Sequence, residues 1–258
     1  ERIAKATLQN LVMSADEGAT HVPHGANVGM SGFTGAAYPK ALPAAIARRA
    51  QEAHGRGDEY AIDLYTGAST APDCDGVLAE AGALRYRMPY QSDPVMRKSI
   101  NAGGMKYQDI HLSHSGRQVA GGVFGQLDIA IVECTRITEE GHLVPSSGVG
   151  NNVEFLDAAS KIIVEVNSWQ SLDLEGMADI YRVKRGVPIP ITASGDRIGT
   201  PYIDIDVNKV VAVVETDAPD RNAPFKPIEV PQHRVVHGGD PGRHGRPDRL
   251  RQDDRRLG

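Results

Sequence analysis

The sequence predicts an α/β fold: an open, mostly parallel sheet with helices on both faces. Three observations carry this. The β-branched runs DIAIVECTRI (128–137), KIIVEVNSW (161–169) and VVAVVET (210–216) are of buried-strand type. Segments with helical spacing alternate with the strands, as crossover connections require. The chain has 258 residues and 40% hydrophobic content, enough for a sizeable core in one large domain or two small ones.

Taken in order, residues 2–13 have helical apolar spacing at Ile3, Ala6, Leu8, Leu11 and Val12. Residues 26–31 form a short strand that runs into a glycine loop. Pro39 suits the first turn of a helix that continues to Gly55 and Gly57, with Pro43 still early enough to be tolerated. Strands are expected at 60–65 and 84–88, with helices over about 72–82 and 152–160. No repeat of fixed period occurs.

Bulk properties exclude some classes. A formal net charge of -5 gives no reason to expect nucleic acid or an anionic membrane as partner. No segment approaches the ~20 apolar residues of a membrane span. The start, ERIAKATLQNLVMSADEGA, is amphipathic and unlike a signal peptide. It has no initiator Met, so a trimmed or incomplete end is expected. Cys134 reads as a core residue and Cys74 as part of a polar turn. Neither belongs to a CxxC pair, which points to a reduced, cytoplasmic setting.

Three small-residue loops fall at strand ends, where open α/β sheets bind ligands: GMSGFTGAAYPK (29–40), TGASTAPDCDG (66–76) and VPSSGVGNN (144–152). The first is spaced GxxGxxG. It misses the GxGxxG dinucleotide pattern and the Gly-Lys-Ser/Thr ending of a P-loop. It offers backbone N–H groups near a helix N-terminus, suited to an anion such as a carboxylate, or it is a tight strand-to-helix turn. In the third loop, Gly148 and Gly150 permit close approach, while Asn151 or Asn152 is a ligand donor or a helix cap.

The histidines point to no metal. His111 and His114 form an HxxH pair without further ligands or an HExxH frame, and surface or capping roles are expected. Ser113 and Ser115 lack a GxSxG elbow. Glu133 and Glu165 interrupt buried-type strands and need partners, so structural ion pairs are expected. Glu139 and Glu140 are further carboxylates with no assigned role.

From Pro231 the composition changes to PQHRVVHGGDPGRHGRPDRLRQDDRRLG, without aromatics or lysine. Such a segment cannot bury enough surface to offset its ordering entropy. A natural basic tail, a His-rich metal tract and an out-of-frame translation are the alternatives.

Several stretches together resemble a known family. GMSGFTGAAYPK, YTGASTAPDCDGVLAEAG, RMPYQSDPVMRKSINAG, the long run from HLSHSG to VEVN, and TDAPDRNAPF occur in this order. They resemble the amino-terminal half of the acetyl-CoA hydrolase/transferase family, which includes succinyl-CoA:acetate-type CoA-transferases. The resemblance covers about residues 2–228. It implies a CoA-transferase (NagB/RpiA-like) domain at 1–228, followed by a non-family tail at 229–258. It also implies a complete chain of about twice this length, commonly a homodimer, with coenzyme A as substrate and no tightly bound cofactor.

The implied reaction is covalent catalysis by a glutamate, passing through a glutamyl-CoA thioester. That glutamate belongs to the family's carboxy-terminal domain. None of Glu133, Glu139, Glu140 or Glu165 matches its position, so no catalytic residue is assigned in this chain. A frameshift or truncation after about residue 228 is therefore the favoured account of the tail, and the chain alone is expected to be inactive. The alternative is a non-catalytic module or subunit that binds CoA or a carboxylate. Gly32, Phe33, Thr34 and Gly35 match a loop facing the active site, and Ser147, Gly148, Val149, Gly150 and Asn151 match a second loop of the same cleft. Arg221 matches an arginine near the CoA site; an interdomain salt bridge is its other reading.

Overall fold

The structure, a computed structural model, describes residues 1–67, 70–184 and 186–221. The arginine-rich segment and the domain limit expected near residue 228 lie outside these. Its elements are α1 (Ala6–Gln9), α2 (Ala15–Ala19), β1 (Asn27–Met30), α3 (Ala41–Gly55), β2 (Ile62–Tyr65), α4 (Val77–Glu80), β3 (Leu84–Met88) and α5 (Pro94–Asn101). These are followed by β4 (Lys106–Tyr107), α6 (Leu112–Ala120), β5 (Ile129–Ile137), β6 (Leu143–Pro145), α7 (Asn152–Ala158), β7 (Lys161–Asn167) and β8 (Val210–Thr216).

The strands form one eight-stranded sheet in the order β4-β3-β2-β1-β5-β7-β8, with β6 paired to β5. Every pairing along that order is parallel; β6 alone is antiparallel. The chain winds outward from β1 to β4, then returns to β5 on the other side of β1. The order therefore reverses between β1 and β5, and ligand crevices form at the carboxyl ends of strands at such a point.

The strands alternate their side chains between two apolar layers, as the period of two demands. One layer holds Leu42 and Ile46 of α3 with Leu64, Leu78 and Met96. The other holds Val119 of α6, Phe155 and Leu156 of α7, and Val132 and Val164 of β5 and β7. In α3 the buried residues Leu42, Ala45, Ile46, Ala50 and Ala53 recur at three- and four-residue spacing, which directs one stripe at the sheet.

Some elements differ from expectation. Residues 2–13 are not one helix. Ile3 bridges to Ile137 and Val12 to Val213, and only one helical turn, α1, lies between. The unpaired backbone at the rims of β5 and β8 is the cause: Ala4 N–H donates to Ile137 O (2.9 Å) and Met13 N–H to Val213 O (3.0 Å). A separate helix, α2, starts at Ser14 with a capping box to Glu17. Helix α3 begins after Lys40, so Pro39 precedes it and Lys40 sits at its N-cap position, not inside it. The helix expected at 72–82 starts as a π-helical turn, Pro72–Gly76, and becomes α4. Cys74 in that polar turn is fully buried, because the turn packs against α3 and α4. Burial pushes its thiol up to about 12, with Asp75 adding to the shift.

Candidate functional site

The three expected loops meet at Ser31, immediately after β1. Its hydroxyl accepts the Asn151 N–H at 2.8 Å. A Cβ on Gly67 would lie 2.5 Å from Ser31 Oγ, and one on Gly150 would lie 2.3 Å from it and 2.8 Å from Gly32 O. Gly150 also has φ of 55°, so this contact between loops requires glycine twice over, for space and for conformation. Gly148 packs against the first loop, its Cβ position 3.2 Å from Ala37 and 3.7 Å from Phe33.

The first loop turns sharply. Phe33 N–H donates to Ala36 O (2.9 Å) and Ala36 N–H to Phe33 O (3.1 Å). Gly32 is buried beneath the turn, where a Cβ would sit 2.5 Å from Ala36 O. Phe33 and Thr34 project outward, and the Phe33 side chain is 60% exposed at the rim. Thr34 (φ 53°) and Ala37 (φ 58°) both adopt the left-handed region that L-residues avoid. Each such residue costs roughly 1–2 kcal/mol and persists only where its surroundings hold it.

The segment after β8 holds this turn at Ala37 and Gly35. Asp220 accepts the Ala37 N–H (3.3 Å) and pairs with Lys40 Nζ (3.0 Å) through Oδ1. Through Oδ2 it accepts from Ser147 Oγ (2.6 Å) and Gln170 Nε2 (3.1 Å). Burial pushes the Asp220 carboxyl up, but the donors Ser147 and Gln170 and the Lys40 ammonium outweigh it, holding the group below the ordinary aspartate range. The next residue, Arg221, donates its backbone N–H to Gly35 O (2.8 Å) and places Nε 3.0 Å from Asp73 of the second loop. Asp73 also accepts from the buried Tyr38 hydroxyl at 3.2 Å.

A buried polar layer lies underneath. The Lys40 ammonium rests on Glu133 Oε2 and donates to Tyr38 O at 3.0 Å. Glu133 also accepts from Asn167 Nδ2 (2.8 Å) and Gln170 Nε2 (3.1 Å). Arg2 fixes the chain carrying those two amides, donating to the carbonyls of Thr135, Asn167, Ser168 and Gln170 at 2.9–3.2 Å. Among the described residues Glu165 takes no cation. Its carboxylate accepts backbone N–H groups of Lys40 (2.7 Å), Ala41 (3.0 Å) and Leu42 (3.0 Å).

This corrects two expectations. The N–H groups at the start of α3 do not face a ligand; Glu165 fills that anion site from within, which the positive end of the helix dipole favours. Glu133 is an ion-pair carboxylate as expected, but Glu165 is a helix-end carboxylate. Burial, reinforced by Glu133, still raises the Glu165 carboxyl above the usual range against its three N–H donors.

Asn151 occupies the N-cap position of α7 but makes no side-chain cap there. Its amide instead donates to Ser115 Oγ on α6, tying the third loop to that helix. Val149 packs half-buried on the second core layer. The rings of His111 and His114 lie 5.4 Å apart at the exposed start of α6, with Ser113 Oγ 2.8 Å from His111 Nδ1. Among the described residues no group of three His, Cys, Asp or Glu is placed to hold a metal ion. No described helix is long and apolar enough to cross a membrane.

The polar layer of Lys40, Asn167, Gln170 and Asp220 was not foreseen. Glu133, a carboxylate inside an apolar strand, signalled that a cation must exist. Nothing local identified Lys40, which lies 93 residues away.

Comparison with known proteins identifies the family. The model of the acetyl-CoA hydrolase/transferase N-terminal domain family matches residues 2–215. The chain is 43% identical over 231 residues to a succinyl-CoA:acetate CoA-transferase of Clostridium kluyveri, covering 88% of this chain and 42% of that protein. It is 42% identical to a propanoyl-CoA:succinate CoA transferase of Escherichia coli, covering 81% and 43%. An acetyl-CoA hydrolase of Schizosaccharomyces pombe is 38% identical, covering 76% and 39%. The chain thus spans less than half the length of these relatives.

In fold it is similar to RipA from Yersinia pestis (TM-score 0.60, 20% identity, 86% of this chain and 46% of that one). It is also similar to glutaconate coenzyme A-transferase from Acidaminococcus fermentans (TM-score 0.56, 15% identity, 80% and 76%). By its motifs, its sheet and the family match, the chain belongs to the acetyl-CoA hydrolase/transferase family, through its amino-terminal domain.

Proposed function

We propose that this chain forms the amino-terminal wall of a cleft that exchanges CoA between an acyl-CoA, of acetyl, succinyl or propionyl type, and a small carboxylate such as acetate, or hydrolyses acetyl-CoA. The observation that carries the reading is the convergence of 32–37, 147–151 and 217–221 at the carboxyl end of β1, with Phe33, Thr34 and Ser147 at its surface. Gly32, Phe33, Thr34 and Gly35 form one side of the acyl and carboxylate pocket, with Ser147, Gly148, Val149, Gly150 and Asn151 opposite. Arg221 offers a guanidinium for a CoA phosphate or a carboxylate. CoA is a substrate here, and no tightly bound cofactor or nucleic acid takes part. The complete protein is a cytoplasmic homodimer in this reading.

The nucleophilic glutamate comes from a second domain. Its carboxylate attacks the thioester carbonyl and expels CoA thiolate, forming an acyl-glutamyl anhydride. The thiolate then attacks the glutamyl carbonyl, releasing the acid and leaving glutamyl-CoA. A carboxylate or water resolves that thioester, giving transfer or hydrolysis. The first wall supplies position and exclusion of water, not the attacking atom.

Two assays test this. The chain alone should transfer no CoA from acetyl- or succinyl-CoA to a carboxylate. Mixed with the carboxy-terminal half of the Clostridium kluyveri relative, it should restore transfer. Turnover by the chain alone, abolished by replacing one of its own glutamates, would falsify the reading. The second reading, a CoA- or carboxylate-binding module, predicts heat on titration with CoA or acetate but no transfer in the mixture.

A further inference from the structure

We propose that Asp220 is the positioning residue of the cleft: it sets the separation of the 32–37 and 147–151 loops, and thereby the grip of the site on its thioester and carboxylate. The inference rests on the reading of this edge as a CoA-exchange site. One carboxylate links both walls, accepting the Ala37 N–H (3.3 Å) on one oxygen and the Ser147 hydroxyl (2.6 Å) on the other. Its own place is fixed from below by Lys40 (3.0 Å) and Gln170 (3.1 Å). Those two residues also hold Glu133, so Asp220 stands on the buried layer and not on solvent. Its side chain is 5% exposed.

The strain in the first loop gives the second argument. Ala37 is fully buried, has φ of 58°, and its N–H is the group that Asp220 receives. An alanine there spends conformational energy that only an external clamp returns, a pattern that concentrates where a loop must hold one shape. The adjoining bond from Arg221 N–H to Gly35 O (2.8 Å) extends the clamp across the tip of the turn. Without Asp220 the alanine relaxes toward negative φ and the first wall moves away from the second.

Backbone hydrogen exchange of the whole chain between pH 4 and 8, with titration of CoA and acetate, tests this. In Asp220→Asn, amides of 33–37 and 147–151 should exchange about tenfold faster, while β5 and β7 stay as protected as in the unaltered chain. Corrected for intrinsic rates, loop protection in the unaltered chain should stay constant over this range, where Asp220 remains ionised, and exceed that of the variant throughout. Adding Ala37→Gly should restore protection of 33–37, since glycine adopts positive φ without the clamp. Ser147→Ala, which leaves the Lys40 pair intact, should loosen 147–151 alone; it carries the test if Asp220→Asn fails to fold.

Loop protection equal to that of the unaltered chain in both Asp220→Asn and Ser147→Ala overturns the proposal. CoA binding weakened about tenfold in Asp220→Asn, the loss expected for one charge-assisted hydrogen bond, supports it. Binding left unchanged overturns the positioning role and leaves the cleft reading intact. If the unaltered chain binds neither CoA nor acetate, the module reading fails, and the exchange data alone decide the role of Asp220.

Discussion

Glu133 of β5 and Glu165 of β7 stand side by side in register, both buried, and one residue satisfies them in two different ways. Lys40 gives its ammonium to Glu133 and its backbone N–H to Glu165 (2.7 Å). Two carboxylates at neighbouring sheet positions repel in a low-dielectric core. The start of α3 removes the conflict by bringing a cation to one and a helix N-terminus to the other.

Replacing Lys40 by Met leaves Glu133 and Asp220 buried without their cation. Breaking such a pair costs about 3–5 kcal/mol. Denaturant unfolding should show a loss of that order. Glu133→Gln added to Lys40→Met should recover part of it, because the stranded charge is gone.

Glu165→Ala removes the acceptor for the N–H groups of Lys40, Ala41 and Leu42. Leaving buried donors unsatisfied costs about 1–3 kcal/mol. The unfolding midpoint should fall, and hydrogen exchange should accelerate first at the start of α3. An unchanged midpoint would mean that solvent replaces the carboxylate without penalty.

Arg87 and Asp75 form a second buried pair, with Arg87 Nε and Nη2 each 3.0 Å from the carboxylate, which also accepts the Thr70 N–H at 3.0 Å. This fork ties the second loop to β3. Arg87→Met should cost about 3–5 kcal/mol, a fall of roughly 10 °C in a calorimetric scan.

Gly150→Ala adds a Cβ against Ser31 Oγ and Gly32 O at a residue with φ of 55°. The conformation alone costs about 1–2 kcal/mol, and the Gly32 carbonyl is backbone that cannot swing aside. Gly148→Ala meets Ala37 at 3.2 Å without positive φ and should be milder. Thermal melts of the two variants give the order directly; Gly148→Ala as the worse of the pair would contradict this packing.

Acid should loosen the cleft through Asp220. Its folded-state carboxyl is held below the ordinary value, so the folded chain releases that proton more readily than the unfolded chain. The stability this adds is complete above the unfolded value of about 3.9 and is lost as pH falls through the lower folded value. Glu165, raised by burial, works the other way: its ionised form costs stability above its folded value, and acid relieves that cost. Unfolding free energy should therefore fall less steeply below pH 4 in Asp220→Asn than in the unaltered chain.

The strands were legible wherever β-branched residues run without interruption. The expected 128–137 and 210–216 are Ile129–Ile137 and Val210–Thr216 in the structure. Amphipathic spacing misled at 2–13, because Ile3 and Val12 bridge to the rims of β5 and β8 and do not line one face of a helix. Helix α5 has a local signal, Asp93 capping Val95 and Met96 ahead of Pro94, but no long apolar run to draw attention to it.

The amino-acid order alone determined the fold class, the three small-residue loops and the family, because each depends on residues close in sequence or on motifs in series. Only the tertiary structure decided which groups those loops face. The α3 N-terminus that looked open to an anion is filled by Glu165, 125 residues from Lys40. Asp220 reaches Ala37 across 183 positions. Charge satisfaction in a core is settled by which strands lie side by side, and no local pattern encodes that adjacency.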